Sequence, residues 1–214
     1  MSNEFLPDTL PANPLPLFAN WLRYAREQAL QPNPDAMTLA TVDAVGKPSA
    51  RIVLCKQLID SDGYVLFYSN YRSRKGNELN AHPYAAAVIH WDHLHRQIRL
   101  EGPVLRSPVA ESDAYFNQRP LVSQLGAWAS RQSEPLTSRA QLAAQLNEAS
   151  QQFAAQQVPR PAHWGGYRLW IESIELWVEG PGRVHDRARW TRALTARDEF
   201  HFNAGAWHST RLNP

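Results

Sequence analysis

Apolar residues in the first half of the chain recur at two spacings, which predict one helix followed by a series of strands. Between residues 16 and 30 they recur at helical spacing, and the prolines that follow end the helix. Beyond it, short apolar stretches alternate with turn residues, as in an antiparallel meander of hairpins. The predicted strands cover residues 37–42, 51–58, 64–69, 85–91 and 95–101, and a short helix covers 73–80.

The second half of the chain is predicted to be helical before it returns to strands. Ser107 and Pro108 form a favourable N-cap and first position for a helix that runs to Arg119. Further helices are predicted over 122–129 and from Ser138, and strands over 167–178, over 183–194 and as a last pair within 200–212. The expected fold class is therefore mainly β with α (α+β): antiparallel strands that close into a barrel, with helices outside.

No repeat and no clear boundary divides the chain, so residues 15–214 are predicted to form a single domain. Residues 1–14 are polar and rich in proline, and we expect them to form an irregular arm. A chain of 214 residues buries enough surface to fold without a disulfide or metal. The single cysteine, Cys55, excludes a disulfide framework and a cysteine-rich metal site.

The net charge and the hydropathy of the chain argue against some classes of function. The 22 basic residues exceed the 20 acidic ones by only two, which argues against non-specific nucleic-acid binding. No apolar run is long enough to cross a bilayer, and the first residues lack the form of a secretory signal. We therefore expect a cytoplasmic protein with neither a nucleic-acid nor a membrane partner.

Lysine is rare in this chain, which makes the positions of its lysines informative. Only Lys47, Lys56 and Lys75 are lysines, whereas nineteen residues are arginine. Lys75 lies in the segment YRSRKG, where a strand ends and a helix begins, and free backbone N–H groups there favour an anion. Lys56 ends the segment RIVLCK, whose alternation places it with apolar neighbours and predicts partial burial. The alternatives are a solvated basic turn and a lysine that reaches water.

Two further segments suit an anionic ligand. Tyr115 and Arg119 share a helix face, and Ser123 begins the next helix after the break at Pro120. A phenol, a guanidinium and a hydroxyl at one helix junction suit a phosphomonoester. The alternative is that Arg119 only caps the C-terminus of its helix. On the predicted strand 183–194, Arg183, His185 and Arg187 point the same way, and the two arginines would lower the pKa of the histidine. The alternative is an ordinary exposed strand face.

Other familiar sites are missing from the sequence. The segment 124–133 does not indicate a chemical mechanism of its own. The histidines at 90, 93 and 95 have no cysteine or carboxylate cluster beside them in the sequence, so no metal site is predicted. The chain contains no nucleophile-elbow, Walker or dinucleotide-binding glycine motif. A bound phosphate must therefore be held by side chains and strand ends.

Taken together, these segments resemble the pyridoxamine 5′-phosphate oxidase family, also called pyridoxine 5′-phosphate oxidases. The stretches that carry the resemblance are NPDAMTLATVD, RIVLCK, FYSNYRSRKGNEL, HRQIRLEG, AYFNQRPLVSQLGAWASRQS, WGGYRL, LWVEG, RVHDR and the final RLNP. They follow the family's order over residues 33–187 and at the C-terminus. The combination of SQLGAW, RQS and R-x-H-x-R is the most specific part of the match.

The resemblance implies an FMN-binding split barrel that works as a homodimer with FMN between the subunits. The implied FMN-binding residues are Arg51, Ile52, Val53, Leu54, Cys55, Lys56, Tyr68, Ser69, Arg74, Lys75, Gln97, Gln132, Ser133, Trp177 and Arg187. The implied substrate-binding residues are Lys56, Tyr115, Arg119, Ser123, Arg183 and His185, of which Arg183 and His185 are also the implied catalytic residues.

The implied reaction is the oxidation of pyridoxamine 5′-phosphate and pyridoxine 5′-phosphate to pyridoxal 5′-phosphate. In the family, the substrate's C4′ gives a hydride to flavin N5, and O2 is the final acceptor, with H2O2 released. A related split-barrel FMN oxidase of another ring system, such as the phenazine-biosynthesis oxidases, is the first alternative. A non-enzymatic flavin- or haem-binding protein of the same fold is the second.

The sequence departs from the family pattern in three places. Residues 1–14 do not match the basic N-terminal segment that closes over the substrate in many members. Cys55 stands where an aliphatic residue is usual. Residues 193–207 look like an insertion, which we expect to lengthen a hairpin.

Overall fold

The structure is a computed structural model that describes residues 5–214. The helices within these residues are α1 (Leu15–Gln28), α2 (Arg74–Ala81), α3 (Val109–Gln118), α4 (Leu121–Ala129) and α5 (Arg139–Gln152). The strands are β1 (Ala36–Val42), β2 (Pro48–Leu54), β3 (Gln57–Ile59), β4 (Tyr64–Asn70), β5 (Tyr84–Trp91), β6 (Arg96–Arg106), β7 (Trp164–Trp170), β8 (Ser173–Val178), β9 (Asp186–Thr191), β10 (Leu194–Ala196), β11 (Phe202–Ala204) and β12 (His208–Leu212). The prediction of a mainly antiparallel β fold with helices outside is confirmed.

Antiparallel pairing closes most of these strands into a barrel. β1 pairs with β2 on one side and β5 on the other, and β5 pairs with β6. The second half of β6 pairs with β7, which pairs with β4, which pairs with β3. Only Cys55 and Lys56 separate β2 from β3, so the covalent connection between these two strands closes the barrel. β8, β9 and β12 extend the sheet beyond the first half of β6.

The single strand predicted over 51–58 is wrong, because the chain changes neighbours within it. The backbone N–H of Cys55 donates to the carbonyl of Asp35, just before β1, at 2.8 Å. The next N–H, of Lys56, donates to Leu66 of β4, also at 2.8 Å. The chain also changes neighbours within the predicted strand 167–178. The N–H of Ile171 donates to the carbonyl of Gly63 and that of Glu172 to the carbonyl of Glu101, so this segment forms two strands, β7 and β8.

A glycine allows β6 to serve both halves of the barrel. Residues 96–101 pair with β8, and residues 104–106 pair with β7. Between them, a Cβ at Gly102 would lie 1.9 Å from the carbonyl oxygen of Trp170, a distance that no side chain tolerates. The strand is longer than the predicted 95–101, and the end of β7 passes close to it at Gly102.

The core follows the predicted alternation. Ile98 and Leu100 of β6 are buried, and they belong to one apolar cluster that fills the barrel. A second, smaller cluster lies under the helices α3 to α5 and contains Phe116, Phe153, Val158 and Trp164. This second cluster supports the helices that border the cleft described below.

Of the three predicted helices that begin at a serine, two are capped by that serine. Ser73 caps α2 by accepting a hydrogen bond from the Gly76 N–H at 3.3 Å, and Ser138 caps α5 in the same way. The prediction that Ser107 caps α3 is wrong, because Pro108 holds the N-cap position. The Ser107 N–H instead donates to the carbonyl of Gly166 and still belongs to the β6–β7 ladder.

The predicted hairpin near the C-terminus is confirmed: β10 and β11 pair with each other between β9 and β12. Residues 5–14 form neither helix nor strand, and the Leu6 N–H donates to Asp186 at 2.8 Å. The first four residues of the predicted arm lie outside the described residues. Within 5–214, none of the helices has the length and apolar character needed to cross a membrane.

Candidate functional site

A cleft of about 640 Å³ opens between the barrel and the junction of α3 with α4. Its lining comes from β2 and the turn after it, from the end of β4, from α2 and from the helices that follow β6. The lining residues are Ile52, Val53, Leu54, Lys56, Tyr68, Ser69, Asn70, Lys75, Tyr115, Arg119, Pro120, Ser123, Gly126, Ala127, Ser130, Gln132 and Trp164.

The cleft gathers many of the residues that the family resemblance implies. Those of the implied FMN site that line it are Ile52, Val53, Leu54, Lys56, Tyr68, Ser69, Lys75 and Gln132. Three residues of the implied substrate site, Tyr115, Arg119 and Ser123, line the same cleft. Segments up to 80 residues apart in sequence therefore converge on one cavity. The predicted partial burial of Lys56 is wrong, because the chain turns outward at the β2–β3 break and leaves the side chain exposed.

Lys75 is a buried cation that contacts only neutral oxygens. Its residue is 6% exposed, and its Nζ donates to the Oγ of Ser69 at 2.9 Å, the Oγ of Ser73 at 3.3 Å and the Oε1 of Gln132 at 3.4 Å. It forms no ion pair with a carboxylate among residues 5–214. Burial, together with the charge of Arg51, lowers the pKa of this ammonium to about 8. Such a group is stabilised when an anion enters the cleft.

Arg119 is a second cation that has no acidic partner within residues 5–214. Its guanidinium carbon lies 4.5 Å from the ring centroid of Trp164 and 5.5 Å from that of Phe116. One terminal nitrogen is buried and has no hydrogen-bond partner among the described residues. Burial lowers the pKa of Arg119 from its ordinary value. An unsatisfied buried donor in a cleft is a ready site for a phosphate oxygen.

Aromatic rings form one wall of the cleft. Tyr68 and Tyr115 stack with ring centroids 3.9 Å apart and planes 11° from parallel. The ring of Trp164 is nearly parallel to both, with its centroid 5.4 Å from that of Tyr68 and 6.2 Å from that of Tyr115. This wall is flat and apolar, which suits a flat aromatic ligand.

Arg51 and Arg74, both implied as FMN ligands, do not line the cleft. An N–H of Arg51 donates to Glu78 Oε2 at 2.9 Å, and the Nε of Arg74 donates to Oε1 at 2.8 Å. The hydroxyls of Thr41 and Ser49 also donate to this carboxylate. Burial opposes the charge, but these four donors outweigh it and lower the pKa of Glu78 to about 2.

Cys55 and Ser133 also lie outside the lining. The Cys55 thiol is fully buried at the β2–β3 break, and burial raises its pKa to about 12. It is therefore a small apolar residue at that position rather than a reactive thiol. Ser133 follows Gln132 with a positive φ of 74° and is exposed.

The remaining implied residues form a separate group on the outer face of the sheet. Gln97, Trp177 and Arg187 are neighbours in register across β6, β8 and β9. The ring of His185 lies 4.7 Å from that of Trp177, and its Nδ1 accepts a hydrogen bond from the Gly180 N–H at 3.3 Å. None of this group, nor Arg183, lines the cleft of the described chain.

The prediction that Arg183, His185 and Arg187 lie along one strand is wrong. β9 begins only at Asp186, and residues 181–183 form a 3₁₀ turn in which Gly182 and Arg183 have φ of 62° and 65°. A left-handed arginine carries backbone strain, a feature that concentrates at functional sites. Arg187 pairs with Glu175 at 2.9 Å, and that carboxylate also binds Arg99.

Sequence reasoning missed several residues of the cleft. Trp164, Asn70 and Ser130 line it without having been predicted as site residues. The tryptophan of WGGYRL is typical of a core residue, and Trp164 is indeed buried, with 7% of its surface exposed. Only the packing of the helices against the start of β7 shows that one face of its ring borders a cavity.

Comparison with known families and structures gives a consistent picture. The family model described as "Pyridoxamine 5'-phosphate oxidase" matches residues 25–153. The model described as "Pyridoxine 5'-phosphate oxidase C-terminal dimerisation region" matches residues 164–214. The two matches together span nearly all of the described chain.

Curated relatives carry the same description. The pyridoxine/pyridoxamine 5'-phosphate oxidase of Paraburkholderia phytofirmans strain PsJN is 48% identical over 202 residues, which are 94% of this chain and 89% of the relative. The protein of that name from Bordetella petrii is 48% identical over 212 residues, 99% of this chain and 94% of the relative.

Solved structures confirm the expected split-barrel fold. The crystal structure of PhzG from Burkholderia lata 383, in complex with tetrahydrophenazine-1-carboxylic acid, has a TM-score of 0.84 and 29% identity, and covers 97% of this chain and 95% of that chain. A pyridoxamine 5'-phosphate oxidase-related FMN-binding protein from Nostoc punctiforme PCC 73102 has a TM-score of 0.67 at 16% identity, with 93% and 96% covered. The chain belongs to the pyridoxamine 5′-phosphate oxidase family of oxidoreductases.

Proposed function

We propose that this protein is an FMN-dependent oxidase that converts pyridoxamine 5′-phosphate and pyridoxine 5′-phosphate to pyridoxal 5′-phosphate, with O2 as acceptor and H2O2 as product. One observation carries this proposal beyond family membership. A single cleft contains the buried cation Lys75 and the half-buried cation Arg119, and neither is paired with a carboxylate of the described residues. Two phosphorylated molecules in one cleft, cofactor and substrate, would satisfy both.

The residues around Lys75 fit the phosphate end of FMN. The Lys75 ammonium, the Ser69 hydroxyl and the Gln132 side chain form one hydrogen-bonded group. Among the described strands β2 pairs only with β1, so its outer edge, which includes part of the backbone of residues 52–54, has no strand partner. The backbone groups of this edge would bind the polar edge of the flavin ring, and Tyr68 would border its face.

The residues around Arg119 fit the phosphate of the substrate. Tyr115, Arg119 and Ser123 come from α3, its C-terminal junction and α4, and all three line the cleft. Lys56 lies at the rim, exposed, where it would add a further positive charge. When bound, FMN would supply the redox chemistry by accepting a hydride from C4′ of the substrate. The protein's own contribution is to position the substrate phosphate and ring.

A second subunit is part of the proposal. Arg183 and His185, the implied catalytic residues, lie outside the cleft of their own chain, and residues 164–214 match the family's dimerisation region. We propose a homodimer with FMN between the subunits, in which the group of Gln97, Trp177, Arg183, His185 and Arg187 faces the partner's cleft. Arg183 would then orient the substrate ring, and His185 would hydrogen-bond a polar group near the reacting carbon.

Oxidation of a different ring system is the second candidate, because the fold is so similar to that of PhzG. The ligand in that structure, a tetrahydrophenazine-1-carboxylic acid, carries a carboxylate and no phosphate. The cluster of Tyr115, Arg119 and Ser123 favours the phosphorylated substrate here.

An aerobic assay with added FMN tests the proposed function. The purified protein is incubated separately with pyridoxine 5′-phosphate, with pyridoxamine 5′-phosphate and with a reduced phenazine carboxylic acid, and H2O2 and pyridoxal 5′-phosphate are measured. Turnover of either B6 phosphate with stoichiometric H2O2 is the expected result. Oxidation of the phenazine alone would favour the second candidate, and a protein that binds FMN but oxidises none of the three would point to a non-enzymatic binder.

A further inference from the structure

We propose that Gln124 and Trp164 are positioning residues that hold the Arg119 guanidinium for the phosphate of the substrate. This assignment rests on the proposed function and deepens it. It also gives a role to the segment SQLGAW, which has no evident mechanism as a sequence.

Gln124 connects the two helices on either side of Arg119. Its Nε2 donates to the carbonyl of Phe116 at 3.1 Å, of Asn117 at 3.4 Å and of Arg119 at 3.0 Å. The last carbonyls of a helix lack partners within it, so this amide caps α3 from α4. Only Arg119 and Pro120 separate the two helices, and the cap therefore fixes the turn from which the Arg119 side chain extends.

Trp164 supports the other end of the same side chain. Its ring lies 4.5 Å from the guanidinium carbon of Arg119, within the range of a cation–π contact. The ring itself is held between Tyr68 and Phe116, 5.4 Å and 5.2 Å away, and is 7% exposed. A rigid, desolvated ring limits the orientations that the guanidinium can adopt.

Neither support neutralises the charge that it holds. A structural arginine in a protein interior is ordinarily paired with a carboxylate or with several carbonyls. Arg119 instead rests on a ring and has a buried nitrogen without a partner among the described residues. Orientation without neutralisation leaves the hydrogen bonds of the guanidinium free for an anionic ligand, which is the signature of a positioned binding group.

Variants at both positions test this assignment. Gln124→Met removes the amide donor at similar length, Trp164→Leu removes the ring, and Trp164→Phe keeps a ring face as a milder change. Gln118→Met, at an exposed position near the same helix end, is the matched control. Each FMN-saturated variant is assayed for the KM and kcat of pyridoxine 5′-phosphate, and the affinity for inorganic phosphate is measured by calorimetry.

We expect Gln124→Met and Trp164→Leu to raise KM about tenfold and to weaken the binding of inorganic phosphate to a similar extent. Both kcat and the affinity for FMN should stay within about twofold of the wild-type values. Trp164→Phe keeps a ring face and should raise KM less than Trp164→Leu does, and Gln124→Met keeps the test valid if Trp164→Leu does not fold. In an Arg119→Ala background, adding Gln124→Met should change KM no further, because its effect is transmitted through Arg119. Additive effects, or a KM equal to that of the Gln118→Met control, would overturn the positioning role.

The same data separate this assignment from the proposed function. If Arg119→Ala raises KM while the Gln124 and Trp164 variants do not, the positioning role fails and the function stands. If the wild type oxidises neither B6 phosphate, the proposed function fails. The calorimetry then decides the positioning role by itself, since an equal affinity for inorganic phosphate in all variants contradicts it.

Discussion

Buried charges in this protein fall into two kinds, and the difference separates structure from function. Glu78 is surrounded by four donors from β1, β2 and α2, so its charge is fully satisfied within the fold. Lys75 and Arg119 are held by neutral groups only. A neutralised charge stabilises the folded chain, whereas a cation without a counter-charge lowers its stability until an anionic ligand binds. This contrast makes opposite predictions for the two kinds of residue.

Lys75 should make FMN binding depend on pH. Its pKa is lowered from 10.5 to about 8, so the ammonium is fully charged below pH 8 and is lost as the pH rises through that value. FMN affinity, measured by quenching of flavin fluorescence, should therefore weaken above pH 8, by up to about tenfold per pH unit. Lys75→Met should bind FMN weakly at every pH without this additional fall. A wild-type affinity that is constant between pH 7 and 9 would contradict the assignment of Lys75 to the flavin phosphate.

Glu78 should stabilise the fold above pH 4.5 and not in acid. Its pKa falls from 4.5 to about 2 on folding, so the unfolded chain binds the extra proton between these values and stability decreases as the pH falls through them. Glu78→Gln should lower the free energy of unfolding by about 1–3 kcal/mol at pH 7. The difference from wild type in urea unfolding should shrink below pH 4.5. A difference that stays constant down to pH 3 would show that the carboxylate charge is not what stabilises the fold.

At the scale of elements, the sequence predicted the type of nearly every helix and strand but not the places where strands change partners. The apolar positions of RIVLCKQL continue past the break at Cys55, because Cys55 lies in the barrel core and Val53 and Leu58 pack against it on either side of the break. The same is true at Ile171, which is fully buried. Hydrophobic periodicity records which side chains are buried, and the choice of neighbouring strand is a property of the closed barrel.

Gly102 should be indispensable to β6, in contrast to a glycine in a helix. Gly102→Ala would place a Cβ against the Trp170 carbonyl, and we expect a loss of about 1–3 kcal/mol or more in the free energy of unfolding. Gly126→Ala, in α4, meets no atom within 4 Å and should stabilise the protein by roughly 0.5–1 kcal/mol. Thermal and urea unfolding of both variants measures the difference. Equal effects of the two substitutions would mean that the Trp170 carbonyl does not lie against Gly102 as described.

At the scale of the whole molecule, the sequence predicted the residues of the site better than their arrangement. One cleft does bring together basic and hydroxyl residues from 52–75 and from 115–132, as charge and motif order indicated; among them are Lys56, Ser69, Lys75, Tyr115, Arg119 and Ser123. The segment 183–187 does not meet them within one chain, and no spacing along a sequence reveals which residues face another subunit. Gln97, Trp177 and Arg187 are site residues by the family resemblance alone, and they lie in register on the outer face of the sheet, apart from the cleft.

Mixed dimers should reveal whether each site is shared between subunits. If one chain supplies Arg119 and the other Arg183, a dimer of an Arg119→Ala chain with an Arg183→Ala chain contains one intact site and one site with both changes, and should retain about half of the wild-type activity. A dimer of the wild type with the Arg119→Ala/Arg183→Ala double variant has the same composition but one change in each site, and should be nearly inactive. Differently tagged, co-purified chains assayed with pyridoxine 5′-phosphate allow the comparison. The reverse ranking would mean that Arg183 folds onto the cleft of its own chain, because only then does the wild-type subunit keep a complete site.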